Sequence, residues 1–299
     1  MQRMMHGIIA ALAGCAMGAA FAQQPANAQA YEAEATAAFA AAREAMKEGP
    51  TQVQLNNEAH LNVPAGFVFV PKEQSLRVLK AMGNRPSPDT LGMIFPQAQD
   101  EHWFMVARFH NSGYVKDDDA RDWKADELLK GIKEGTEESN KERKARGIPE
   151  MEIVGWVQTP TYDAATHRLV WSLASKDKGA PAGAEQGVNY NTYLLGREGY
   201  ISMNLVTDLN AVEAQKPIAK QLLAAVEFEK GRTYADFNAS TDHVAEYGLA
   251  ALVGGIAAKK LGFFALIAAF AAKFAKLIGL AAIGLFAGIA KLFGRRKEE

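Results

Sequence analysis

The stretch VNYNTYLLGREGYISMNLVTD, Val188–Asp208, decides the fold. It holds two runs rich in β-branched and aromatic residues, Val188–Leu195 and Tyr200–Asp208, joined by Gly196-Arg197-Glu198-Gly199. Such runs favour a pleated backbone, and a short glycine-bounded connection turns the chain back on itself, so the pair reads as an antiparallel hairpin. Upstream, Glu152–Gln158 (EIVGWVQ) and Arg168–Ala174 (RLVWSLA) repeat the pattern around a turn at Asp163–His167. Four strands in succession without intervening helices argue against the regular β-α-β alternation of a parallel sheet.

Helices flank this block. Ala30–Lys47 is rich in helix formers and stops at Gly49-Pro50. Glu73–Met82 forms a short helix ending at Gly83-Asn84. A longer one runs from about Trp123 to Arg146, apolar early at Leu128, Leu129 and Ile132, then polar all round, until Gly147-Ile148-Pro149. Another starts near Pro217, which suits the first helical position. Thr51–Leu55, His60–Val63, Phe67–Pro71 and Trp103–Phe109 read as further strands, and Pro86–Pro96 reads as loop. The expected class is α+β: a single antiparallel sheet packed with helices, plus a C-terminal membrane helix segment.

Net charge is −1 but unevenly spread. Residues 249–299 carry +6 and residues 1–22 carry +1, leaving about −8 on the body. An acidic body with a basic apolar tail excludes a nucleic-acid binder and points to membrane lipid as a partner. The start, MQRMMHGIIAALAGCAMGAAFAQQ, has one Arg, an apolar run and the small-x-small site Ala20-Phe21-Ala22, so residues 1–22 read as a signal peptide. Leu12-Ala13-Gly14-Cys15 also fits a lipobox, which would acylate Cys15 instead. Cys15 is the only cysteine, so cleavage after Ala22 leaves no thiol for a disulfide, a nucleophile or a metal.

In the tail, apolar runs are broken by Lys259-Lys260, Lys273, Lys276 and Lys291. Phe274–Phe293 is the best window for a membrane span, with Lys276 and Lys291 near its ends and Arg295-Arg296 kept cytoplasmic. The lysines also form one stripe of a helix, which would suit an interfacial helix. Gly284 and Gly288 form a G-x-x-x-G pair through which two anchors could dimerise. The organisation is a signal peptide (1–22), an N-terminal helix (23–50), an exported α+β domain (51–240) and an anchor with a short cytoplasmic tail (241–299).

Chemistry is sparse. No phosphate cradle, H-E-x-x-H or G-x-S-x-G elbow is present, since Ser202 falls mid-strand, and no cofactor is implied. In SGYVKDDDARDWKADELL, Ser112–Leu129, the carboxylates Asp117, Asp118 and Asp119 invite a metal reading, with Asp117 and Asp119 as ligands. A calcium loop from Asp117 would need an oxygen ligand, Gly and Glu where the chain has Arg121, Asp122 and Leu128. Asp119 or Asp122 capping the following helix needs no ligand. Asn189, Asn191 and Tyr193 share one face of their strand and, with Asp118, are candidates for an interaction surface.

The blocks SGYVKDDDA, WKADELL, GTEESNKERKARG, VGWVQTPTYDAATHRLVWSL, GVNYNTYLLGREGYISMNLV and YADFNASTDHVAEYGLAALV resemble a bacterial family of membrane-anchored proteins labelled domain of unknown function 2167. The resemblance runs from about Gly49 to the basic tail. It implies an exported domain with a C-terminal anchor and brings no catalytic residue. The leading expectation is a non-enzymatic, inner-membrane-anchored periplasmic module that binds an envelope protein or ligand. The rivals are a metal-assisted envelope hydrolase, using Asp117–Asp119, His110 and distant residues, and a membrane-sensing or remodelling tail.

Overall fold

The structure, a computed structural model, describes residues 25–254 apart from Arg85, Gln99, Asp122 and Arg146, and of residues 25–30 the backbone only. The signal peptide, Cys15, the Asp122 cap and the tail residues Lys273, Lys276, Gly284, Gly288, Lys291, Arg295 and Arg296 lie outside the described residues. Among the described residues no helix is long and apolar enough to cross a membrane.

Helix α1 (Pro25–Ala45) leads into β1 (Lys47–Glu48), β2 (Thr51–Leu55), β3 (Ala59–Val63) and β4 (Phe67–Pro71). Helix α2 (Lys72–Ala81), β5 (Thr90–Pro96), β6 (Phe104–His110), a 3-10 turn at Asp118–Arg121 and α3 (Ala125–Ala145) follow. Then come β7 (Met151–Asp163), β8 (Arg168–Asp177), β9 (Gly187–Leu195), β10 (Tyr200–Asp208), α4 (Val212–Ala224), β11 (Val226–Phe228), a 3-10 turn at Tyr234–Asp236 and α5 (Leu249–Gly254).

The large sheet has eight strands in the order β1-β4-β5-β6-β10-β9-β8-β7, with every pairing antiparallel. The α+β class with a large antiparallel sheet packed by helices therefore stands. The expectation of one sheet does not: β2, β3 and β11 form a second, three-stranded sheet. Its inward residues Val53, Leu55, Leu61 and Val63 stack with α4 (Ala219, Leu222, Leu223) against Ile201, Met203 and Leu205 of the large sheet. Each fully buried aliphatic chain there contributes roughly 1.5–3 kcal/mol.

Two further corrections follow from packing. The stretch read as loop over Pro86–Pro96 contains β5, whose Gly92 lies where a Cβ would meet the Phe69 ring at 2.2 Å. Helix α4 starts five residues before Pro217, so that proline sits inside it and not at its first position. The Asp208 carboxylate accepts from the Asn210 and Ala211 amides just ahead of the helix.

The opposite face of the large sheet has two separate covers. Over β4–β6, α1 and α2 bring Ala42, Val78 and Leu79 onto Val70, Met93 and Val106. Over β8, α3 and α5 bring Leu128, Leu249 and Leu252 onto Leu169, Trp171 and Leu173. Between the covers, β6, β10 and β9 carry polar residues on that face.

Candidate functional site

The cross-strand register builds this polar strip. Ser202 of β10 lies opposite Arg108 of β6 on one side and Tyr193 of β9 on the other; Tyr200 lies opposite His110, and Asn204 opposite Asn191. Strand alternation sends Ile201, Met203 and Leu205 into the core and leaves their polar neighbours on this face.

His110 is the centre of the strip. Its Nε2 is 3.0 Å from the Ser202 hydroxyl, its Nδ1 is 3.8 Å from an Asp89 carboxylate oxygen, and its ring stacks on Tyr200 at 4.6 Å. Burial pushes the imidazole below its ordinary value, against the pull of Asp89, so the ring is neutral at pH 7. A neutral imidazole has one donor and one acceptor nitrogen. Asp89 beside Nδ1 repels a lone pair there and favours the proton, which leaves Nε2 to accept from Ser202. The Asp89 carbonyl accepts from the Phe109 amide at 2.9 Å, which pins the acid beside β6. Gly199 allows the β9–β10 turn to approach, since a Cβ there would lie 1.9 Å from the His110 carbonyl oxygen.

A cleft of about 370 Å³ opens above, lined by Asp89, His110, Asn111 and Ser112 on one side and His243, Glu246 and Tyr247 on the other. The second wall belongs to the strap 237–248, which joins the body to α5. The strap is held by Arg197, which donates two hydrogen bonds to Asp242 at 2.7 and 2.8 Å and keeps that carboxyl well below the usual range. The Tyr114 amide donates to the His243 carbonyl at 2.8 Å, and the Ala245 amide to the Tyr114 carbonyl at 2.9 Å. Gly113 lies beneath with φ +83°, where a Cβ would meet His243 at 2.6 Å, so both dihedral and space demand glycine. Burial raises the Tyr193 and Tyr200 hydroxyls, which remain protonated donors.

The sequence profile described as "Protein of unknown function (DUF2167)" matches residues 47–284. The chain belongs to that family. No curated protein matches it. Among solved structures, the cyanobacterial PsbP of Synechocystis sp. PCC 6803 is similar at 9% identity and TM-score 0.36, covering 62% of this chain and 91% of that one. The Ran-binding protein Mog1p of Saccharomyces cerevisiae is similar at 13% identity and TM-score 0.30, covering 59% of this chain and 94% of that one.

The structure gathers some of the residues singled out from sequence and scatters others. Asn189, Asn191 and Tyr193 share the strip's face; the Asn191 side-chain oxygen accepts from Asn204 at 2.8 Å, and Tyr193 packs edge-on to Trp171. None of the three is among the cleft's lining residues. The three adjacent aspartates do not converge. Asp117 accepts from the Tyr162 hydroxyl at 2.7 Å, and Asp118 is exposed on the 3-10 turn. Asp119 is a cap, but for a different helix: its two oxygens accept from the Leu249 and Ala250 amides, each at 3.0 Å, about 130 residues along the chain. Gly248 makes room, since a Cβ there would lie 2.5 Å from Asp119. Among the described residues no group of three or more His, Cys, Asp or Glu is placed to hold a metal ion. Asp89, Arg108 and the partnership of His110 with Ser202 were missed because 92 residues separate the histidine from the serine. The available signal was a charged or polar residue at alternating positions of otherwise apolar strands.

Proposed function

We propose that this chain is a binding module of the bacterial envelope, exported by its N-terminal segment and held at the inner membrane by its C-terminal segment, with the α+β body in the periplasm. The apolar, Ala20-Phe21-Ala22-terminated start and the basic apolar tail support that placement. Membrane lipid and an envelope protein or ligand are its partners, and the Gly284/Gly288 pair offers a route to a homodimer.

The observation that carries the binding reading is the cleft, where a fixed imidazole and a carboxylate stand side by side and Ser202 lies beneath the ring at 4% exposure. A photo-crosslinking residue placed at Asn111 of the full-length chain in cells should give a discrete adduct that disappears with Asp89→Ala. Placed at Glu138, on the exposed face of α3, it should give none; equal adducts from both positions would refute the reading. For topology, an export-dependent reporter fused after Gly248 should be active and one fused after Glu299 inactive.

A second reading is hydrolysis, favoured by the alignment of Ser202, His110 and Asp89. Against it, β10 is paired on both sides, so the ladder occupies amides that could otherwise stabilise an oxyanion. Labelling of Ser202 by a fluorophosphonate, abolished by His110→Gln, would establish hydrolase chemistry; an unlabelled Ser202 supports binding alone.

A further inference from the structure

Resting on the reading of the cleft as a binding site, we infer that it takes a neutral polyhydroxylated ligand, a short glycan. The reason is the pairing of donors and acceptors along its wall. The His110 Nδ1 nitrogen and an Asp89 carboxylate oxygen stand 3.8 Å apart. One hydroxyl group bridging the two from the cleft side, at about 2.8 Å from each, can accept from the Nδ1 proton and donate to the carboxylate. Asn111 is exposed and adds an amide with both capacities. The Ser112 hydroxyl donates to the Gly113 carbonyl at 3.2 Å, so its oxygen is left to accept.

Other ligand classes fit this wall less well. A cation would satisfy Asp89 but offer no acceptor to the half-buried His110 Nδ1 proton, and a buried polar group left unmet costs its desolvation. An anion would face Asp89 and Glu246, while Arg108 is not among the lining residues. A lipid chain would find no aliphatic side chain among the seven lining residues. Polyols carry a donor and an acceptor on every hydroxyl, and Tyr247 supplies an aromatic wall of the kind that packs on apolar C–H faces. A volume of about 370 Å³ suits a small ligand.

The test is histidine-ring nitrogen NMR on the full-length protein in detergent, titrated with chitotriose and maltotriose at millimolar concentration, with spermidine and inorganic phosphate as controls. The expected result is a saturable shift of the His110 Nδ1 signal with a saccharide, weakened about tenfold by Asp89→Ala or Asn111→Ala, as for one lost hydrogen bond. Both substituted residues are at the cleft's surface, so folding is spared. A saturable shift with spermidine or phosphate alone would overturn the glycan assignment and keep the cleft as a binding site. A saccharide shift indifferent to both variants would also overturn it. No shift with any probe would overturn the glycan assignment and count against the cleft itself.

Discussion

Arg197 and Asp242 form a two-bonded pair, at 2.7 and 2.8 Å, that ties the β9–β10 turn to the strap forming one wall of the cleft. The same turn sets Tyr200 beneath His110, so one short connection supports the residue under the imidazole and the strap wall of the site. The pair also resists acid. Arg197 holds the Asp242 carboxyl below its ordinary value, so its stabilisation is complete above the unfolded carboxylate pKa, about 3.9, and is lost as pH falls through the lower folded value.

The Asp242→Asn variant should therefore loosen the strap first. Faster amide exchange at Tyr114 and Ala245, whose hydrogen bonds close the strap, is the expected signature, with exchange in β9 and β10 unchanged. Uniform destabilisation of the whole sheet would show that the pair serves the global fold.

Asp119→Ala removes the acceptor for two amides at the start of α5. A loss of about 1 kcal/mol, within a range of 0.5–2, is expected in denaturant unfolding. Asp118→Ala, which alters an exposed side chain, should change stability by less than about 0.5 kcal/mol. Equal losses from the two would contradict the distant cap.

Gly92→Ala should cost about 1–3 kcal/mol, because the new methyl would meet the Phe69 ring at 2.2 Å and the Val70 carbonyl oxygen at 2.7 Å in the β4–β5 pair. A smaller partner, as in Gly92→Ala with Phe69→Leu, should recover part of the loss. Thermal unfolding of the two variants checks this.

The strand succession from Glu152 to Asp208 was legible because each run is long, apolar on one face and bounded by turn residues. The second sheet was not legible, since β11 is only three residues long and joins β3 from far along the chain. Strand β5 hid behind Gly92 and three prolines, Pro86, Pro88 and Pro96, residues that usually mark loops. The site was harder still. Capping by Asp119 was recognisable as chemistry, but the choice of helix depended on tertiary contact. Ser202 looked inert in mid-strand, and only register brought it between Arg108 and Tyr193, under His110.

The state of the His110 ring is the point on which the site stands or falls. Histidine-ring nitrogen NMR should show a neutral imidazole with its proton on Nδ1, titrating below the ordinary histidine value of about 6.5. Ser202→Ala should then mix the two tautomers, because Nε2 loses its donor. A ring protonated at pH 7, or one carrying its neutral proton on Nε2, would contradict the donor–acceptor pair on which the cleft's proposed chemistry rests.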